Sequence, residues 1–227
     1  MRALLISSST VHGFGFLEQP LPAIRAFLGE RRRIVFVPFA LADGEGYTAR
    51  VAEALPDFEV RMIETARDFE DTDAVLVGGG NTFRLLKTLY DHALLEPLRE
   101  AVRGGVRYIG SSAGTNIAAP TIRTTNDMPI VEPPSLASLA LVGYQINPHY
   151  LDPDPATTHM GETREERLLQ YLEENELPVV GIREGSAIQV EEGRSRLLGD
   201  RGARIFRRGR APFEAAAGTD LEPLLFR

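Results

Sequence analysis

The stretch that decides the fold is VRYIGSSAGTN (residues 106–116), in which an apolar, β-rich run stops at Gly110. Gly110, Ser112 and Gly114 form a G-x-S-x-G pattern. A sharp turn from strand to helix needs flanking residues without bulk, and it lifts one hydroxyl clear of the backbone toward the free N–H groups of the next helix. The pattern predicts that Ser112 is a nucleophile beside an anion site. A plain Ser-Gly loop between a strand and a helix is the alternative that the pattern alone leaves open.

Strands and helices alternate on the N-terminal side of this turn. Apolar runs bounded by turn residues predict strands at 3–6, 34–38, 58–63, 74–77 and 106–109. Apolar residues at helical spacing predict helices at 21–28, 46–55, 82–90 and 94–102. Such alternation is typical of parallel strands covered by helices on both faces, so we expect an α/β fold with a doubly wound, mostly parallel sheet.

The pattern changes after Ala119. A proline-rich connection (129–134) is followed by a predicted strand at 141–146, a predicted helix at 164–175 and three short strands at 179–182, 187–191 and 194–198. We interpret these short strands as a sheet edge or a small antiparallel C-terminal extension. A chain of 227 residues is of the usual size for one α/β domain, so we expect a single domain over residues 1–227.

Composition excludes several classes of function. The chain has no cysteine, which removes disulfides and thiolate chemistry and is typical of a reducing cytoplasm. The apolar part of its N-terminus is too short for a signal sequence or a membrane span, so we expect a cytoplasmic protein without a membrane partner. The net charge of −7 disfavours a polyanion binder.

Seven arginines are nevertheless concentrated between Arg194 and Arg210, against the single acid Asp200. This run could be a nucleic-acid patch. Its arginines alternate with Leu and Ile in strand-like stretches, and the run lacks a regular interleaving of aromatic residues that could stack on bases. The run is therefore interpreted as the solvent face of a hairpin, and no nucleic-acid partner is expected.

Several long sequence motifs resemble those of a known protein family. GSSAGTN, TIRTTNDMPIVEP, INPH, GETREER and IREGSAIQV occur in this order between Gly110 and Val190, and SSST and VGGGNTFRLLK precede them. With these words the chain resembles peptidase E, the α-aspartyl dipeptidase family of serine peptidases, up to about Leu198. The resemblance implies hydrolysis of dipeptides with N-terminal aspartate (Asp-X) through an acyl-enzyme, and the predicted fold is of the class I glutamine amidotransferase-like type.

A serine nucleophile needs a base, and the base needs a partner that fixes its tautomer. The histidines of the chain are His12, His92, His149 and His159. His149 directly follows a predicted strand that would carry it to the sheet edge of Ser112, and the resemblance makes the histidine of INPH the base. His12 lies in a loop after the first strand, where α/β sheets also gather active-site residues.

Two acids compete to orient His149. Glu184 lies on the turn after the strand at 179–182, and the resemblance makes it the third triad member, in the chain order Ser, His, Glu. Asp127 would give the order Ser, Asp, His instead. The resemblance also makes Asp127 functionally important, and its other possible role is to hold the free ammonium of the substrate. We assign Glu184 to the triad and Asp127 to support or substrate binding.

Acyl transfer also needs donors for the developing oxyanion. The glycines of VGGGNTF end a predicted strand, and a backbone without side chains lets N–H groups approach a ligand closely. Gly79 or Gly80 is the expected first donor, and the N–H of Ala113 is the second. A phosphate site is the alternative for this turn, but G-x-x-x-x-G-K-[ST] and G-x-G-x-x-G are both absent from the sequence.

A substrate aspartate side chain requires a cation. Arg164 in GETREER and Arg123 in TIRTTND lie in words shared with the family, and we rank Arg164 first. Ion pairs with neighbouring glutamates on a helix surface are the alternative for Arg164.

The leading hypothesis is thus a serine exopeptidase for small Asp-X peptides. No cofactor is expected, and no metal, because H-E-x-x-H and similar spacings are absent from the sequence. The alternatives are a hydrolase of another aspartyl amide, as in the cyanophycinase branch, and an inactive glutamine amidotransferase-like binding protein. Ser111 departs from the family, whose best-known members have a bulky aromatic before the nucleophile. We expect a monomer or a homodimer.

Overall fold

Strands and helices alternate along the first half of the chain in the computed structural model, which describes residues 1–154, 156, 158 and 160–226. The strands are β1 (Arg2–Ile6), β2 (Arg33–Val37), β3 (Glu59–Met62), β4 (Ala74–Val77), β5 (Arg107–Ser111), β6 (Gln145–Pro148), β7 (Val179–Ile182), β8 (Ser186–Glu191), β9 (Arg194–Gly199), β10 (Ala203–Phe206) and β11 (Phe213–Ala215). The helices are α1 (Leu21–Leu28), α2 (Gly44–Ala54), α3 (Thr82–Asp91), α4 (Leu95–Gly104), α5 (Ala113–Asn116), α6 (Arg164–Glu174) and α7 (Glu222–Phe226), with a 3-10 turn at Ala66–Phe69. Within the described ranges, no helix has the length and apolar character needed to cross a membrane.

The main sheet has the strand order β3-β2-β4-β5-β1-β8-β9 within the described residues. The first five of these strands run parallel, and β8 and β9 are antiparallel to their neighbours. Alternate side chains enter two cores. Ala3 and Leu5 pack toward α3 and α4, whereas Leu4 and Ile6 pack toward α1 and α2. The predicted α/β fold class, with a mostly parallel sheet between helices, is confirmed.

Side-chain caps fix where the helices next to the site begin. The Asn81 side chain accepts a hydrogen bond from the Arg84 N–H at 3.0 Å, so α3 starts immediately after the glycine turn. Thr163 and Glu166 form a capping box at the start of α6. These caps satisfy N–H groups that have no partner within a helix, and they place Thr82 and Arg164 at the first helical positions.

A second sheet corrects the predicted antiparallel extension. It has the order β11-β10-β7-β6, with β7 parallel to β6 and antiparallel to β10. Only β8 and β9 extend the main sheet, whereas β7 leaves it. Leu168 and Leu172 of α6 pack on this second sheet against Tyr150, Val179 and Phe206.

The strand predicted at 141–146 is wrong in its bounds, because β6 spans Gln145–Pro148. The apolar residues before it pack on the segment that follows α5, where the Leu141 N–H donates to the Ala118 carbonyl at 2.8 Å. His149 still follows the strand directly.

The arginine-rich run is split between the two sheets. Arg194 and Arg196 lie on the exposed side of β9, as the hairpin interpretation predicts. Arg204 does not fit the hairpin interpretation, because it lies on β10 and forms ion pairs with Glu165 and Glu214 at 3.1 and 3.0 Å.

Candidate active site

The turn that carries Ser112 is a tight elbow between β5 and α5. Ser112 has φ 53° and ψ −108°, and α5 begins at Ala113. A Cβ added to Gly114 would lie 2.1 Å from the carbonyl oxygen of Val77, and one added to Gly110 would lie 2.6 Å from the carbonyl oxygen of Gly114. Both glycines of the G-x-S-x-G pattern are therefore required by close backbone packing, and the positive φ turns Ser112 away from the sheet.

Ser112, His149 and Glu184 form a chain of side-chain contacts. The Ser112 Oγ lies 2.7 Å from His149 Nε2, and His149 Nδ1 lies 2.7 Å from Glu184 Oε1. The His149 and Glu184 side chains are 31% and 48% exposed, so substrate can reach the pair. In this geometry the imidazole can accept the hydroxyl proton while the carboxylate fixes the ring's tautomer.

Ser7 links the ends of β6 and β7, the strands that precede His149 and Glu184. Its hydroxyl, buried at the end of β1, accepts the His149 backbone N–H at 3.0 Å and donates to the Ile182 carbonyl at 2.9 Å. His149 itself is held at φ 54°. Ser7 was not among the predicted site residues, although it lies in the SSST motif that follows the first strand.

The other histidines lie elsewhere or outside the described residues. His12 is exposed and lines a depression of about 510 Å³ together with His149. His92 ends α3 and stacks on Phe39 with 5.7 Å between ring centroids. His159 lies outside the described residues.

Asp127 is hydrogen-bonded to the start of α3 and not to the imidazole. Its Oδ2 accepts hydrogen bonds from the Thr82 N–H at 2.7 Å and from the Thr82 and Thr125 hydroxyls at 2.6 and 3.2 Å, so it caps the start of α3. Its Oδ1 has no hydrogen-bond partner among the described residues. The carboxylate that contacts His149 is that of Glu184.

The loop that carries Asp127 is anchored to β6. The Asn147 side chain donates to the Thr124 carbonyl and to the Asn126 side chain, both at 2.8 Å. The Asn126 side chain in turn donates to the Pro148 carbonyl at 2.8 Å. These bonds hold Asp127 at a fixed position relative to the strand that ends at His149.

The glycine turn after β4 packs directly against the nucleophile. A Cβ added to Gly79 would lie 3.0 Å from Ser112 Cβ. The Gly79 N–H donates to the Tyr47 hydroxyl at 3.0 Å, so it is already engaged. The N–H groups of Gly80 and Ala113 have no acceptor within the described part of the chain. Of the two glycines predicted as alternative donors, Gly80 is the one whose amide is available.

The two candidate arginines lie in different places. Arg164, the first residue of α6, lines the depression that contains His149 and Glu184. Its Nη1 is buried without a hydrogen-bond partner in the described part of the structure. Burial lowers the pKa of this guanidinium, and the charges of Glu184 and Asp127 act against that effect. Arg123 is exposed in another groove, which Asp127 and Tyr171 also line.

Comparison with known proteins decides the family. The sequence pattern of the group described as peptidase family S51 matches residues 3–198. The chain belongs to peptidase family S51. All three residues of the Ser112–His149–Glu184 chain fall within that match, and β10, β11 and α7 lie beyond it. The family resemblance drawn from the sequence words is confirmed.

Relatives cover nearly the whole length of this S51 peptidase. It is 58% identical to "Peptidase E" of Streptomyces coelicolor, over 99% of this chain and 95% of the relative. It is 46% identical to the "Probable alpha-aspartyl dipeptidase" of Drosophila melanogaster, over 98% of this chain and 96% of the relative.

A solved structure shares the fold. The crystal structure of a peptidase from an acI-B1 Actinobacterium matches with a TM-score of 0.68 at 15% identity, over 96% of this S51 chain and 95% of the other.

Proposed function

We propose that this S51 peptidase is a serine dipeptidase that hydrolyses Asp-X dipeptides through an acyl-enzyme. The observation that carries the proposal is the contact chain from Ser112 Oγ through His149 to Glu184, with 2.7 Å at each step. The relatives named "Peptidase E" and "Probable alpha-aspartyl dipeptidase" support the substrate class.

The proposed reaction has two halves. The Ser112 Oγ attacks the carbonyl carbon of the substrate aspartate while its proton passes to His149 Nε2. The tetrahedral oxyanion accepts hydrogen bonds from the N–H groups of Gly80 and Ala113. Collapse expels the amine of residue X, which takes the proton from His149, and leaves an aspartyl ester on Ser112. Water then gives a proton to His149 and attacks that ester, and collapse of the second tetrahedral intermediate releases aspartate while His149 returns the proton to the Ser112 oxygen.

Substrate recognition is assigned to two charges beside this machinery. Arg164 pairs with the side-chain carboxylate of the substrate, because its buried Nη1 lacks a partner in the described structure and a desolvated cation favours an anionic ligand. The Oδ1 of Asp127 receives the substrate's free ammonium, since the other carboxylate oxygen caps α3. Arg123 lines the same groove as Asp127 but is exposed, so it stays the second candidate for the carboxylate. The enzyme is expected to act on small peptides in the cytoplasm as a monomer or homodimer.

A substrate panel tests the proposal. Wild type is incubated with Asp-Leu, Asn-Leu, Glu-Leu and N-acetyl-Asp-Leu, and leucine release is measured by mass spectrometry. We expect Asp-Leu to be cleaved on the order of 10³-fold better than Asn-Leu or the acetylated peptide, because a missing charge leaves its protein partner unpaired. Wild type without a preference for Asp would overturn the dipeptidase assignment.

Two neighbouring variants test the position of the nucleophile. Ser112→Ala should abolish hydrolysis with the fold retained, because it removes the attacking oxygen and little packing. Ser111→Ala is the matched control and should keep most of the activity. The reverse pattern would place the nucleophile one residue earlier.

A further inference from the structure

A second depression lies against Ser112, and the part of it lined by Phe16, Leu41 and Arg50 has no function in the reaction described above. Its volume is about 400 Å³, and its walls include Ser112, Gly80, Phe16, Leu41, Tyr47 and Arg50. It shares His149 and Glu184 with the depression that contains Arg164, so the two adjoin at the proposed catalytic pair.

Arg50 is the cation of this second depression. It lies on α2, and its guanidinium carbon sits 4.0 Å from the centroid of the Phe16 ring. Stacking on an aromatic face fixes the plane of a guanidinium and leaves its N–H groups free at the edge. No carboxylate of the described residues forms an ion pair with Arg50. The guanidinium is thus held in place and has no counter-ion in that part of the chain.

Tyr47 links Arg50 to the nucleophile. The Tyr47 hydroxyl accepts the Gly79 N–H, and Gly79 packs against Ser112. Burial raises the pKa of Tyr47, whereas the Gly79 hydrogen bond and the positive charge of Arg50 lower it. Arg50 therefore acts electrostatically on a group that is two contacts away from the attacking oxygen.

An Asp-X dipeptide brings three charged groups to the site. Arg164 and Asp127 account for the aspartate side chain and the ammonium, both of which belong to the acyl half of the substrate. The α-carboxylate of residue X remains, and it lies two bonds beyond the scissile nitrogen. If the acyl half occupies the depression of Arg164, the leaving half extends across Ser112 into the depression of Arg50.

We propose that Arg50 forms the binding subsite for the free α-carboxylate of the leaving amino acid and so favours dipeptides over longer or C-terminally blocked peptides. The proposal rests on the dipeptidase function proposed above. The side chain of residue X lies against Phe16 and Leu41, which supply apolar surface beside the cation.

Paired substrates test this subsite. The kcat/KM values of wild type and of Arg50→Met are measured on Asp-Leu and on Asp-Leu amide, which differ only in the C-terminal charge. We expect wild type to prefer Asp-Leu by at least about tenfold, since a hydrogen-bonded charge pair contributes on that scale. Arg50→Met should bring the ratio close to one, with the loss falling on Asp-Leu. Arg50→Lys should retain part of the preference, because it keeps the charge without the planar fork.

The matched control is Arg103→Met, which removes an exposed arginine from the last turn of α4 and should leave the ratio at the wild-type value. Equal rates of wild type on the two substrates, or an unchanged ratio in Arg50→Met, would overturn the carboxylate subsite and leave the dipeptidase proposal standing. Absence of hydrolysis of Asp-Leu by wild type would instead remove the dipeptidase proposal, and the subsite with it.

Discussion

Ser112 and His149 meet side chain to side chain at 2.7 Å, and both hold their backbones at positive φ, 53° and 54°. Positive φ is unfavourable for residues with a side chain and persists where the surroundings enforce it. Gly114, two residues after Ser112, packs against the Val77 carbonyl, and the His149 N–H donates a hydrogen bond to the Ser7 hydroxyl. The two strained positions therefore aim the two side chains at each other.

Gly114→Ala tests how much the elbow depends on this packing. The new Cβ would lie 2.1 Å from a backbone oxygen that cannot move aside cheaply, so we expect destabilisation by about 1–3 kcal/mol or more and loss of hydrolysis. Urea unfolding measures the change. Gly104→Ala is the matched control, because a Cβ there meets nothing within 4 Å and alanine favours the helix, so its stability should be equal or higher. Equal stability of the Gly114 variant and wild type would contradict the packing argument.

The proposed triad should behave as one unit. We expect that His149→Ala combined with Glu184→Ala reduces kcat/KM far less than the product of the two single effects, because each variant alone already disables the base. Single-turnover kinetics on Asp-Leu give the values. Multiplicative losses would show that the two residues act independently, which the proposed mechanism does not allow.

The main sheet was predictable because four of its five parallel strands, β1, β2, β4 and β5, are buried runs separated by helices or by short turns. The second sheet was not. All four residues of β7 are buried, so the sequence carries no alternation to show which sheet the strand joins. Arg204 has the spacing of a solvent-facing residue, but its partner Glu165 lies 39 positions away, and local pattern does not register such a contact.

Contacts between residues far apart in the sequence also explain why some parts of the site were predicted and others were missed. Ser112 and His149 could be proposed because each follows a strand and strand ends meet at one edge, whereas the choice of Glu184 over Asp127 came from the family resemblance. The engagement of the Gly79 amide by Tyr47 spans 32 positions, and the link between Ser7 and His149 spans 142. Contacts of this kind decide which amide is free and how the imidazole is oriented, and they emerge only in the folded chain.

Stability should depend on pH through Arg183, the residue before Glu184. Its guanidinium donates to Asp152 at 2.7 Å and to Glu214 at 2.8 Å, and these bonds lower the pKa of both carboxyl groups although burial opposes the effect. A carboxyl group whose pKa is lower in the folded than in the unfolded state stabilises the fold at pH values above its ordinary pKa, about 4. This stabilisation is lost as the pH falls through the lower, folded-state pKa.

Arg183→Met should therefore be less stable than wild type at pH 7, and the difference should shrink toward pH 3. The Asp152 and Glu214 side chains are 53% and 55% exposed, so solvent screening limits the effect to about 1 kcal/mol. Urea midpoints at a series of pH values give the comparison, with Arg103→Met as the control. A stability difference that stays constant over this range would rule out the carboxylate pairs as its source.

Selectivity for aspartate gives the most direct test of Arg164. A site with a desolvated cation loses binding energy when the substrate offers an amide in place of a carboxylate, because the guanidinium is then left without its charged partner. Arg164→Met removes both the attraction for the substrate carboxylate and the cost of leaving the guanidinium without a charged partner. We therefore expect the ratio of kcat/KM for Asp-Leu over Asn-Leu to fall by more than tenfold, as for loss of a charged hydrogen bond, with hydrolysis of Asn-Leu changed much less. Arg123→Met is the competing variant, because Arg123 lines the groove that Asp127 also lines, and its ratio should stay at the wild-type value if Arg164 holds the carboxylate. A ratio that persists in the Arg164 variant and collapses in the Arg123 variant would transfer the carboxylate-binding role to Arg123.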